Sequence, residues 1–262
     1  MRGPAQKVVY HSSMADSAWV PSLAAAVSAT TDTPRHTVVV RITHWATALC
    51  FLALLVSGIE ILISHPRFYW GETGNVMEAP LFSIPIPASR ASVPTGYGYV
   101  LPDQNGWSRS LHFQAAWGAV LVGLWYFAWG VLTGHFRRNL LPSADDLKWS
   151  RLAPVLADHL RFRRPPESEA WTYNALQRLA YLGVIFVLFP LMIWTGLAMS
   201  PAVAAAFPAV VTVLGGQQSA RTIHFFDCGL LVAFLGVHVL MIVLAGFRNR
   251  MRSMVTGRAG TR

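Results

Sequence analysis

Nine histidines occur among the 262 residues, and four of them, His44, His112, His224 and His238, fall within strongly apolar stretches. A side chain able to ionise or coordinate is costly in such surroundings and is usually kept for function. One alone reads as a histidine hydrogen-bonded to a neighbouring helix. Four at related positions point to coordination chemistry, because imidazole is the commonest metal ligand. His224 and His238 are fourteen residues apart; on a helix this is a rise of about 21 Å and a rotation within about 40° of four full turns. They share one face at two depths. His36 and His65, just beyond the first apolar stretch, and His11, His135 and His159, in polar segments, read as surface residues.

Those depths require long helices. Four apolar runs, 42–63, 111–133, 176–199 and 223–246, are each of the roughly 20 residues needed to cross about 30 Å of hydrocarbon. Hydrophobic residues make up 53% of the chain and charged residues only 13%, and the mean hydropathy is +0.41. Lipid offers the backbone no partners, so each span must be a helix. The expected fold is an all-α integral membrane protein, a four-helix up-down bundle. Pro190 predicts a kink in the third span, and residues 202–214, short and interrupted by Pro208, read as interfacial. The expected division is a mobile amino-terminal segment at 1–35, a four-helix domain at 36–250 and a basic tail at 251–262. Residues 18–29 faintly mimic a leader peptide, but Pro21 spoils the apolar centre and no cleavage is expected. Cys50 and Cys228 lie inside apolar runs, so they read as packing residues, and a disulfide framework or CxxC metal site is excluded.

The net charge of +9 reflects topology and not nucleic-acid binding. Of the 21 Lys and Arg residues, seventeen fall in the amino-terminal segment, the middle loop with its edge, and the tail. The positive-inside rule then puts both termini in the cytoplasm, in a bacterial inner membrane. The loop at 64–110, rich in Pro, Gly, Tyr and Trp, faces outward as a structured cap suited to docking a partner.

With that orientation, depth alone pairs His44 with His238 near the cytoplasmic side and His112 with His224 near the outer side. Two facing imidazoles at one depth are the axial ligands of a haem iron. Zinc would want a tetrahedral set with further ligands. Arg41, Arg109 and Arg221 each precede a histidine by three residues, which sets Arg and His on one helix face with Arg nearer the water. Haem carries two propionates, and guanidinium suits carboxylates; Arg41 is expected at the inner haem, Arg109 and Arg221 at the outer one. Asp227, one turn below His224, reads as an imidazole-orienting or proton-relaying group, as a partner of Arg221, or as the cap of a polar pocket.

The sequence Arg41-Ile-Thr-His-Trp45 followed by Ser57-Gly58, His112 opening the second span, and the His224 and His238 pair resemble the di-haem cytochrome b membrane subunits of nickel-iron hydrogenases, formate dehydrogenases and thiosulfate reductases, also called bacterial cytochrome b561-like. The likeness runs from about His36 to Arg250, and the segment from His65 to Glu72 is most similar to the thiosulfate reductase branch. It implies two haem b groups with the four histidines as axial ligands, and exchange with quinone near the inner haem. It also implies a catalytic oxidoreductase partner of the iron-sulfur or molybdopterin kind, expected on the outer face. The longer outer loop and the amino-terminal extension depart from the pattern, so the partner's identity does not carry over. Two alternatives are a stand-alone quinone reductase fed by superoxide or another small reductant, and a haem-free anchor or transporter.

Overall fold

The computed structural model describes residues 36–75, 77–85, 92–94, 100–102, 106–161 and 175–257. The segment 1–35, with its leader-like stretch, and the tail beyond 257 lie outside the described residues. Four helices are long and apolar enough to span a membrane: α1 (Val38–Ser64), α2 (Gly106–Leu132), a third built of α5 (Ala175–Gly183), a π turn (Val184–Leu188) and α6 (Phe189–Ala198), and α9 (Gln217–Leu244). Short helices complete the described chain: α3 (His135–Asn139) and α4 (Trp149–Leu160) between the second and third spans, α7 (Pro201–Ala206) and α8 (Ala209–Thr212) before the fourth, and α10 (Phe247–Thr256) after it. Two small antiparallel pairs sit between α1 and α2: β1 (Arg67–Phe68) with β2 (Phe82–Ser83), and β3 (Ser92–Pro94) with β4 (Val100–Pro102).

The distribution of side chains is that of a protein solvated by lipid. Leu49, Leu52, Val56, Leu121, Leu124, Leu230 and Val237 point outward, whereas the buried positions of the spans include Thr43, Ser57, Thr195, Ser219, Thr222 and Asp227. Lipid tails are as apolar as leucine, so helices gain little by hiding leucine from them; small and polar residues that allow close approach and internal hydrogen bonds go inside instead. α1 packs against α2, and α6 against α9. The interior is therefore two antiparallel hairpins set side by side.

The sequence predicts a kink at Pro190, and the third span carries a π turn, Val184–Leu188, shortly before the proline. Proline supplies no N–H to the carbonyl one turn back and crowds it, and a π turn absorbs the misfit by inserting a residue. Residues 201–212 form the two short helices α7 and α8. The fourth span starts at Gln217, six residues before the expected start, because a hydropathy pattern ignores the polar first turns. Their N–H groups find partners in the cap: Gln218 and Ser219 donate to the Gly71 carbonyl (2.9 and 3.3 Å), and Gln217 donates to Glu72 Oε2 (3.4 Å). In return Gly71 N–H donates to Ser219 Oγ (2.8 Å) and Thr222 Oγ1 donates to the Tyr69 carbonyl (2.7 Å). These are the orphan donors of a helix start, so the loop after α1 is clamped to α9 by backbone chemistry.

At the opposite end α10 folds back on the start of α1. Arg41 Nη1 donates to the Val255 carbonyl (2.8 Å) and Trp45 Nε1 to the Met254 carbonyl (3.2 Å), satisfying the last turn of α10 with a cation where the helix dipole is negative. The tail expected from residue 251 thus begins inside a helix that packs at the end of the bundle where α1 starts.

Gly216 has φ +116°, and a Cβ there would be driven into the Gly71 backbone. Gly216→Ala is therefore expected to lower stability by roughly 1–3 kcal/mol and to loosen the cap, read as a lower melting temperature in detergent and faster limited proteolysis between residues 65 and 85. An unchanged melting temperature would contradict the clamp.

Candidate haem sites

The four span histidines meet in the expected pairs. His112 of α2 and His224 of α9 have ring centres 6.4 Å apart, their planes inclined by 56°. His44 of α1 and His238 of α9 have ring centres 6.3 Å apart, inclined by 47°. A metal–imidazole bond of about 2.0 Å, plus roughly 1.1 Å from ring nitrogen to ring centre, sets two rings on opposite sides of one metal about 6.2 Å apart. Both pairs therefore have the spacing that one shared metal ion requires. Among the described residues no three His, Cys, Asp or Glu side chains cluster as an ion-binding group; each pair could offer a metal two imidazole nitrogens and no further side-chain donor. A haem, which brings its remaining donors in the porphyrin, would fit such a pair.

The pair of His112 and His224 is braced. Ser57 Oγ lies 3.0 Å from His112 Nδ1, and Thr195 Oγ1 lies 2.9 Å from His224 Nδ1. Both hydroxyls are fully buried. Gly58 and Gly196, beside the two hydroxyls, also line the rings: a Cβ built on either would lie 3.6 Å from His112 or His224, an ordinary contact. Neither hydroxyl was singled out from sequence as a site residue, although each stands in a hydroxyl–glycine pair deep in a span. The pair of His44 and His238 is held differently: His44 stands edge-on to Trp45 (5.2 Å), and His238 lies beside Phe234 (5.7 Å) and Tyr181 (6.3 Å). His44 Nδ1 is buried without a hydrogen-bond partner among the described residues.

The arginines are distributed unevenly. Arg109 and Arg221 converge on His65, at the end of the bundle that holds His112 and His224: Arg109 Nη2 is 3.2 Å from His65 Nε2, while Arg221 donates to the His65 carbonyl and stacks over the Phe68 ring at 4.9 Å. Two guanidiniums at that end suit carboxylates. Arg41 sits a turn from His44, but one of its amino groups is committed to Val255 and its Nε is buried without a partner. Asp227 is buried and neither carboxyl oxygen has a hydrogen-bond partner among the described residues; Arg221 turns to His65 and does not pair with it.

His65 corrects the sequence expectation of a surface residue. It is half-buried at the end of α1, because the loop docking onto α9 brings it between two arginines. That docking is a long-range contact with no local signature. Burial first, then the Arg221 and Arg109 cations, push its imidazole below the ordinary 6.5. The folded protein then binds this proton more weakly than the unfolded chain, so the stability it contributes is complete above about pH 6.5 and is lost as the pH falls below it. His65→Gln is expected to flatten the decline of melting temperature between pH 7.5 and 5 relative to the unaltered protein. Parallel curves would show that His65 carries none of that dependence.

The profile of the prokaryotic cytochrome b561 family matches residues 35–257, all four spans and α10 included. A protein of Azospira oryzae assigned provisionally as a protein-methionine-sulfoxide reductase subunit, YedZ1, is 30% identical over 211 residues, covering 78% of this chain and 87% of that protein. A protein of Cupriavidus necator, assigned in the same provisional way as a Ni/Fe-hydrogenase B-type cytochrome subunit, is 26% identical over 230 residues, covering 83% of each. No solved structure shows a significant match.

Proposed function

Because this chain belongs to the prokaryotic cytochrome b561 family, a family of multi-pass bacterial membrane cytochromes, we propose that it is a di-haem electron carrier joining the quinone pool to a partner oxidoreductase. His112 and His224 hold the outer haem b, and His44 and His238 the inner one. The observation that carries this reading is the pair of facing imidazoles at each end of the bundle, 6.4 and 6.3 Å between centres. When bound, each haem iron supplies one-electron chemistry. The protein's own task is to fix the ligands, exclude water and compensate the propionates, with Arg109 and Arg221 at the outer haem and Arg41 at the inner one.

The excess of Lys and Arg in the middle loop and at both ends supports an orientation with both termini in the cytoplasm. Quinone then exchanges near the inner haem, an assignment that rests on family likeness. The partner docks on the outward cap. The two relatives are named as subunits of different oxidoreductases, which favours a subunit role and leaves the partner's substrate to its own active site; a molybdopterin or iron-sulfur enzyme fits the resemblance. The cap clamped over the start of α9 speaks against the alternative in which a small reductant reaches the outer haem directly.

Purified in mild detergent, the protein should give b-type bands in a reduced-minus-oxidised spectrum and two haems per chain. His112→Ala or His224→Ala should each leave one haem, as should His44→Ala or His238→Ala, and the haem retained should differ between the two sets. Absence of b-type bands would reject the redox reading, and unchanged haem content in all four variants would reject the pairing.

A further inference from the structure

We propose that Ser57 and Thr195 are positioning residues which fix the proton and the plane of the two outer ligands, as counterparts in an inexact internal repeat; this rests on the haem reading above. The geometry decides the direction of each hydrogen bond. Ser57 Oγ lies 2.7 Å from the Ala53 carbonyl, and Thr195 Oγ1 lies 2.8 Å from the Leu191 carbonyl. A carbonyl has no proton to give, so each hydroxyl donates its single hydrogen to its own helix. Toward the imidazole, each oxygen can then only accept. Nδ1 of His112 and of His224 must carry the proton, which leaves the Nε2 lone pair free for a metal. A hydrogen bond from the far nitrogen fixes tautomer and ring orientation and raises ligand basicity.

The repeat supports this independently of the hydrogen bonds. α1 carries Arg41, His44 three residues on, and Ser57-Gly58 thirteen residues after His44; the third span carries Arg178, Tyr181 three residues on, and Thr195-Gly196 fourteen residues after Tyr181. The one-residue difference falls across the π turn Val184–Leu188, a feature that accommodates a single inserted residue. α2 carries Arg109, His112 and, fourteen residues later, Tyr126; α9 carries Arg221, His224 and, fourteen residues later, His238. In each hairpin the hydroxyl–glycine pair of the first helix meets the histidine of the second. At the inner level the counterparts of His44 and His238 are Tyr181 and Tyr126, so the repeat has kept the braced ligand in both halves and the inner ligand in only one helix of each kind.

The test uses the full-length protein in detergent, with Ser57→Ala, Thr195→Val and the exchanges Ser57→Thr and Thr195→Ser, which give each half the hydroxyl its counterpart uses. The readouts are potentiometric titration of the two haem components and the low-spin electron paramagnetic resonance signal of the outer haem. Loss of the acceptor lowers ligand basicity and favours the reduced iron. In Ser57→Ala and Thr195→Val the outer component's reduced-to-oxidised ratio at a fixed potential should rise about tenfold, or 59 mV for one electron, with an altered outer signal and an unmoved inner component. The two exchanges should behave as the unaltered protein. Unchanged potential and signal in both hydroxyl-free variants would overturn the proposal, as would equal loss of the outer haem from the hydroxyl-free and the exchanged variants. A parent protein without two titrating components would instead fail the underlying haem reading, before any variant is compared.

Discussion

An imidazole in hydrocarbon has two ring nitrogens and no water to satisfy either, and the arrangement of this bundle follows from meeting that demand. Where a hydroxyl takes one nitrogen, as at His112 and His224, the other is left to a partner that the lipid does not supply. The hydroxyl must sit deep in a neighbouring span, bonded back to its own helix, and a small residue beside it suits the approach of the ring. Long helices, small buried residues, close hairpins and an outward-facing coat of leucine and valine are the setting in which such contacts persist. Without that setting the same histidines would be partly wetted surface groups.

The two ends of the bundle solve the problem unequally. His112 and His224 are each braced by a hydroxyl at the end of the bundle that carries Arg109 and Arg221, and the cap there is tied to α9 through Gly71, Tyr69 and Ser219. His44 and His238 lie among aromatic rings, next to a start of α1 secured by the last turn of α10. A less supported ligand pair tolerates more adjustment, which suits the end at which an exchangeable quinone is proposed to react. A tightly held outer pair suits electron transfer to a docked protein, where little needs to move.

Much of this was legible in the sequence. The spans announce themselves because lipid demands long apolar helices, and the fixed rise and rotation of a helix turn His224 and His238 into two depths on one face, from which the pairs His44 with His238 and His112 with His224 follow. Ser57 and Thr195 were not recognised as site residues, since a hydroxyl bonded to its own helix looks ordinary until the ring it faces is known. His65 was misjudged because its surroundings come from a loop folding back on α9. The commitment of Arg41 to Val255, more than two hundred residues away, was equally invisible. The start of the fourth span was placed too late for the same reason: the donors of Gln217, Gln218 and Ser219 are satisfied by Gly71 and Glu72, residues distant in the chain.

Near-infrared magnetic circular dichroism of the purified, oxidised protein tests the two-level arrangement most directly, because its charge-transfer band reports which pair of axial ligands holds a low-spin ferric haem. Facing imidazoles at both ends predict a bis-histidine band whose intensity accounts for two haems per chain. A band of another ligand pair, or bis-histidine intensity for a single haem, would contradict it.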